Sequence, residues 1–154
     1  ACLPHYKVYQ KMNVFLIIAG AFSATAAMLH LACIYFGAPW YRFFGAGEHM
    51  AILAEQGSIQ PTLITSGIVV VLVIWSLYAF SAAGVFYRLP FMRSVLSLII
   101  LIYLTRGIIG LFLINTPMGR SAEFWLWSSI ICLIYAAFHL IGLKKQWTKI
   151  ANMR

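Results

Sequence analysis

The chain has 154 residues, of which 63% are hydrophobic and only 9% are charged, and its formal net charge is +8. Soluble domains carry roughly a quarter charged residues, so this composition excludes an ordinary soluble protein and predicts lipid as the main solvent. The basic residues stand at the ends of apolar segments, which is typical of membrane topology signals and argues against nucleic acid as a partner. We expect a single membrane domain, residues 1–154.

Residues 1–11 precede the first apolar segment, and three interpretations stay open: a tag, a processed end, or a truncated start with Met12 as the true start. The three cysteines, Cys2, Cys33 and Cys132, form no CxxC and no metal-ligand spacing. Cys33 and Cys132 fall within apolar segments, where cysteine is usually a small hydrophobic residue. We therefore predict no metal site.

Four apolar segments are long enough to cross a bilayer, which takes about 20 residues. They cover residues 13–36, 62–87, 94–114 and 124–143, and each is predicted as a helix because its backbone must satisfy its own hydrogen bonds in lipid. The long first connection contains "GEHMAILAEQGS", which predicts a short amphipathic helix from about Glu48 to Gln56. The predicted fold is all-α: a four-transmembrane-helix bundle with a short amphipathic helix in the first, outer loop.

The distribution of Lys and Arg predicts the orientation of the chain. One side of the membrane receives most of the basic residues, and the other, outer side receives two, Arg42 and Arg120, with all three acids, Glu48, Glu55 and Glu123. The positive-inside rule then predicts that both termini are cytoplasmic and that the long first loop lies outside. A bacterial inner membrane is the expected location.

Small and polar residues recur at helical spacing along the predicted spans. Helices in lipid associate through close packing and interhelical hydrogen bonds, so such stripes predict the inward faces of a bundle. In the second span, Thr62, Ser66 and Ser76 fall on one predicted inward side. The residues expected to pack helices together in the other spans are Ser23, Ala27, Gly107, Gly110, Ser128, Cys132 and His139.

Arg106 is the most unusual residue of the chain, because it lies within an apolar span and no Asp or Glu lies within a dozen positions of it. A charge at such depth costs about 2.5 kcal/mol or more, so Arg106 needs partners. Counting depth along the helices places several polar side chains at its level. We therefore predict a polar chamber, open to the outer side, formed by Arg106, Tyr103, His30, Glu48, Glu55, Thr62 and Ser66.

Two roles for Arg106 stay open. In the first, an ion pair with Glu48 or Glu55 fixes the outer helix onto the bundle. In the second, Arg106 holds the anionic or carbonyl group of a ligand whose apolar body lies between helices, such as a lipid or a quinone. The chain has no HExxH, no glycine-rich phosphate loop, no nucleophile elbow and no aspartate, and we predict no cofactor.

Three short features carry a family resemblance. They are the pair His30-Leu31, the stretch "FGAPWYRFFGAGE" from Phe36 to Glu48, and the pair Arg106-Gly107. In these features and in its layout, the chain resembles the DoxX-like small bacterial four-helix integral membrane proteins. The resemblance implies a fold and a location, but no catalytic residue, since the function of most members is undefined.

The expected function is that of an accessory or scaffold subunit of a membrane complex, as a homo-oligomer or with a larger partner, that binds a lipid or quinone. The alternative is a membrane enzyme or redox helper that acts on a lipophilic substrate held by Arg106. In that case Tyr103 or His30 would handle a proton and Glu48 or Glu55 would tune the histidine.

Overall fold

The computed structural model describes residues 12–116 and 118–151, and in this part of the chain every regular element is a helix. The helices are α1 (Val14–Phe36), α2 (Ala38–Phe43), α3 (Glu48–Glu55), α4 (Gln60–Ala83), α5 (Met92–Phe112) and α6 (Ala122–Ala151). Of these, α1, α4, α5 and α6 are long and apolar enough to cross a membrane. The predicted all-α four-helix bundle is confirmed, and the chain is an integral multi-pass membrane protein.

The four long helices form two closely packed pairs, α1 with α4 and α5 with α6, and α1 also packs along α6. Successive long helices run antiparallel, so that the backbone N–H of Asn13 donates to the carbonyl of Ala83 at 3.2 Å and Arg93 donates to the carbonyl of Trp147. We call this end of the bundle the terminal end, and the opposite end, which carries α2 and α3, the cap end.

The boundaries of the spans differ from those predicted. Helix α4 ends at Ala83 rather than at residue 87, because Gly84 takes a left-handed conformation with φ of 90° and its N–H bonds back to the last turn. Helix α6 continues past residue 143 to Ala151. Hydrophobicity marks where a helix crosses lipid, and polar residues such as Lys144 and Lys145 extend this helix beyond the apolar segment.

The first connection contains two helices where the sequence predicts one. Helix α3 occupies the predicted segment, and α2 is an additional short helix that begins after Gly37, whose φ is 73°, with Pro39 in its first turn. The hydroxyls of Tyr41 in α2 and Thr65 in α4 lie 3.0 Å apart in a hydrogen bond. This contact holds α2 against the end of α4.

Close helix approach in the bundle depends on small residues. The Ser76 hydroxyl of α4 donates to the carbonyl of Gly20 in α1 at 2.9 Å. A Cβ at Gly107 would lie 2.7 Å from Leu133 Cγ, and one at Gly142 would lie 2.6 Å from Leu16 Cγ. Interdigitation of this kind provides the van der Waals contact that stabilises helix association in lipid.

Candidate functional site

Arg106 lies on α5, about 9 Å before that helix ends at Phe112 at the cap end. Its side chain is partly buried between α5 and α6. One terminal nitrogen, Nη2, donates to the Ser128 hydroxyl of α6 at 3.0 Å. The other, Nη1, is buried and has no hydrogen-bond partner within the described residues.

A second arginine, Arg120, reaches the same place from the loop that precedes α6. Its guanidinium carbon lies 4.8 Å from the ring centre of Phe124 and 5.7 Å from that of Trp125. The guanidinium carbon of Arg106 lies 5.0 Å from the Trp125 ring and 6.0 Å from the Phe124 ring. Both cations are therefore held by the same two aromatic rings at the start of α6, through cation–π attraction.

The two arginines line a groove of about 480 Å³ on the outer surface of α5 and α6. Its walls are mainly apolar, and Thr105 is the polar exception among its uncharged lining residues. The apolar side chains are Leu101, Ile102, Ile109, Leu113 and Trp125. The groove thus combines a dicationic end with a hydrophobic trough that faces the lipid.

No carboxylate of the described residues neutralises these two arginines. Glu48 and Glu55 both bind Arg42, with N–O distances of 2.6 and 2.5 Å, and the third acid, Glu123, is exposed and forms no ion pair in the described part of the chain. Burial, and then repulsion from Arg106, lower the pKa of Arg120. The site carries two uncompensated positive charges.

Of the two roles left open for Arg106, the ion pair with Glu48 or Glu55 is not present in the described structure. Helix α2 places Arg42 beside both glutamates, and hydrogen bonds from its guanidinium hold the pKa of each carboxyl below its usual range. The sequence did not indicate this cluster because α2 was not predicted. Arg42 was assigned only to the outer side.

The other residues of the predicted chamber have separate partners. The hydroxyl of Tyr103 lies 3.1 Å from that of Ser23, inside the bundle, and His30 Nδ1 donates to the carbonyl of Ala26 on its own helix at 2.7 Å. Thr62 is exposed and Ser66 is partly buried, whereas Thr65 is buried. The pattern therefore assigned the inward face of α4 incorrectly at this end, and none of these side chains bonds to Arg106 in the described structure.

The residues expected to pack helices lie mostly between helices. Ser23, Ala27, Gly107, Gly110 and His139 are buried, and Ser128 and Cys132 are partly buried. His139 is fully buried and its Nδ1 donates to the carbonyl of Tyr135 at 2.7 Å. Ser128 has a second role as the hydrogen-bond acceptor of Arg106.

Sequence reasoning missed Arg120, Phe124 and Trp125 as members of the site. Arg120 was counted only among the basic residues that set the topology. The sequence does place a basic residue just before an apolar segment that begins with two aromatic residues, and this pattern could have indicated a cation–π cluster. Only the packing of α6 against α5 brings this cluster to Arg106.

Among the described residues, no group of three or more His, Cys, Asp or Glu side chains is placed to hold a metal ion. Comparisons of the chain with protein-family models, with curated proteins and with solved structures find no match. The resemblance to DoxX-like proteins stays a prediction, and the fold and the geometry of the groove carry the functional argument.

Proposed function

We propose that this protein is a ligand-binding accessory subunit of a bacterial inner membrane, in which Arg106 holds the polar head of a lipophilic molecule, a lipid or a quinone. One observation carries the proposal: Arg106 lies within a membrane-spanning helix, has no carboxylate partner in the described structure, and lines a groove that is open to lipid. An unpaired charge at this depth is costly, so a ligand group that accepts its hydrogen bonds offsets part of that cost.

The proposed orientation supports a site for a ligand of the outer leaflet. Lys144, Lys145 and Lys149 lie on α6 toward the terminal end, and Arg88 and Arg93 lie near the connection between α4 and α5. This excess of positive charge favours a cytoplasmic terminal end. The cap end, with Arg106 and its groove, then faces the periplasm.

The alternative, an enzyme or redox helper, has less support. Its proton-handling residues Tyr103 and His30 bind Ser23 and the Ala26 carbonyl respectively. The glutamates that would tune a histidine bind Arg42 instead. No observation on the described residues favours this alternative over ligand binding.

The test is native mass spectrometry of protein released gently from its own membrane. The wild type is compared with Arg106→Ala, with Arg106→Lys and with Arg88→Ala, a control that removes an exposed arginine from the terminal end. We expect a bound small molecule in the wild type and the control, and its loss in Arg106→Ala. Absence of any small molecule from the wild type, or equal retention in Arg106→Ala, would contradict the proposal.

A further inference from the structure

We propose that the ligand of the groove is an anionic phospholipid, whose phosphate is bound jointly by Arg106 and Arg120. This inference rests on the proposed function and names the chemical class that the site recognises. It is carried by four features of the groove: its two cations, the absence of a neutralising acid among the residues that the structure describes, the depth of each arginine, and the length of the apolar trough.

The charges of the site favour an anion over a neutral head group. The guanidinium groups of Arg106 and Arg120 contact the same two rings, those of Phe124 and Trp125, so their positive charges repel each other, and neither forms an ion pair within the described residues. A quinone carbonyl accepts hydrogen bonds but leaves both positive charges in place. A bound anion removes the repulsion and gains charge-assisted hydrogen bonds from both guanidinium groups.

The geometry favours phosphate over carboxylate. Arg106 approaches from α5 and Arg120 from the loop before α6, and both are positioned by the rings of Phe124 and Trp125. A planar carboxylate matches the paired N–H donors of one guanidinium group. A tetrahedral phosphate presents oxygens in several directions and can accept hydrogen bonds from two guanidinium groups at once. Two arginines on different elements therefore suit phosphate.

Depth and shape favour a lipid over a small anion such as free phosphate. Arg120 lies beyond the end of α5, where lipid head groups are expected, and Arg106 lies inside the span. From Leu113 to Leu101 the groove follows α5 for about 18 Å. Its apolar walls match an acyl chain that extends from the phosphate toward the middle of the bilayer.

The experiment uses the full chain, purified in a neutral detergent and stripped of lipid by prolonged washing. Five probes are added separately: phosphatidylglycerol, phosphatidylcholine, a fatty acid, ubiquinone and inorganic phosphate. Binding is measured by native mass spectrometry and by the shift of the thermal unfolding midpoint. We expect phosphatidylglycerol to bind about tenfold more tightly than each of the other probes.

The variants Arg106→Gln and Arg120→Gln are each expected to weaken phosphatidylglycerol binding by about tenfold, because each loses one charged donor. Arg120→Lys is expected to bind phosphatidylglycerol more tightly than Arg120→Gln but less tightly than the wild type, because lysine keeps the positive charge and lacks the paired donors of arginine. The matched control Arg88→Gln removes an equal charge at the terminal end, and we expect it to bind like the wild type. Elution at the wild-type volume in size-exclusion chromatography identifies the variants that fold.

Several outcomes would overturn the inference. Preferential binding of ubiquinone or fatty acid through Arg106 would leave the proposed function standing and refute phosphate recognition. Stabilisation by inorganic phosphate as large as that by phosphatidylglycerol would refute the lipid. A copurifying protein that is lost in Arg120→Gln would mean that the arginines bind a partner, and binding of no probe would contradict both proposals.

Discussion

Gly107 shows what a single residue decides in this bundle. It is buried on α5, and a Cβ added there would lie 2.7 and 2.8 Å from Leu133 Cγ and Cδ2 and 3.2 Å from the carbonyl oxygen of Ser129. The sequence indicated a packing role from its spacing, but the neighbouring atoms became known only from the arrangement of α5 and α6.

We therefore expect Gly107→Ala to destabilise the protein by about 1–3 kcal/mol, because Leu133 and the backbone of α6 must move to accommodate the methyl group. Gly67→Ala is the matched control. Gly67 is exposed on α4, and an added Cβ meets nothing within 4 Å. Because alanine has a greater helix propensity than glycine, this substitution should leave the stability unchanged or slightly higher. Denaturation of both variants in detergent measures the difference, and an equal effect would contradict the packing argument.

Asn13 is a second residue whose hydrogen bonds connect several helices. Its side-chain oxygen caps α1 by accepting from the backbone N–H of Phe15 and Leu16. Its Nδ2 donates to the carbonyl of Gly142 on α6 at 2.8 Å, and its backbone N–H bonds to Ala83 of α4. One residue thus joins three helices at the terminal end.

We expect Asn13→Ala to lower the free energy of unfolding by about 2 kcal/mol, roughly half from the lost cap and half from the lost bond to Gly142. Asn13→Ser keeps a capping oxygen, but its shorter side chain cannot donate to the carbonyl of Gly142. We therefore expect about half of that loss. Equilibrium denaturation in mixed micelles would distinguish these values, and identical loss in both variants would show that capping contributes nothing.

At the scale of elements, the cap end is held by the cluster of Arg42, Glu48 and Glu55, which joins α2 to both ends of α3. All three side chains are exposed. Hydrogen bonds from Arg42 lower the pKa of both glutamates. A carboxylate with a lowered pKa contributes stability that is complete above its unfolded pKa and is lost as the pH falls through the folded value.

Acidification should therefore loosen α2 and α3 before it affects the spans. We expect hydrogen exchange of the α3 backbone to rise as the pH falls below the ordinary glutamate pKa of about 4.3, once exchange rates are corrected for pH. Arg42→Gln should exchange faster already at neutral pH and show little further change. A wild-type response equal to that of Arg42→Gln would contradict a role for the cluster.

At the scale of the whole molecule, the order of helices decides which residues meet. Helix α5 packs along α6, and this pairing brings Arg106 to Ser128, Phe124 and Trp125. The same arrangement faces Tyr103 toward Ser23 in the bundle interior, away from the groove side of its helix. Two neighbouring turns of α5 thus serve an interior contact and a lipid-facing site.

The orientation of the molecule gives a further prediction. In a background without native cysteines, we expect Gln56→Cys, in the loop between α3 and α4, to react in intact cells with a membrane-impermeant maleimide. Tyr87→Cys, exposed in the loop between α4 and α5, should react only after the cells are opened. The reverse labelling pattern would mean that the terminal end faces the periplasm and the groove lies near the cytoplasmic side, contrary to the proposed orientation.

The sequence by itself determined that this is an all-helical membrane protein with four spans. That result follows from composition and length, because about 20 apolar residues in lipid must form a helix whatever surrounds them. The sequence also showed that Arg106 is costly where it lies, since the energy of a charge depends on depth, which can be counted along the chain.

Only the tertiary structure decided which partners that charge has. Depth places residues at the same level but does not give the rotation or the neighbours of each helix, so Glu48 and Glu55 were assigned to Arg106 although Arg42 binds them. Arg120 was assigned to topology alone, although it lines the groove beside Arg106. Hydrophobicity is a local property of the chain, whereas pairing of charges requires helices that are distant in sequence to pack together.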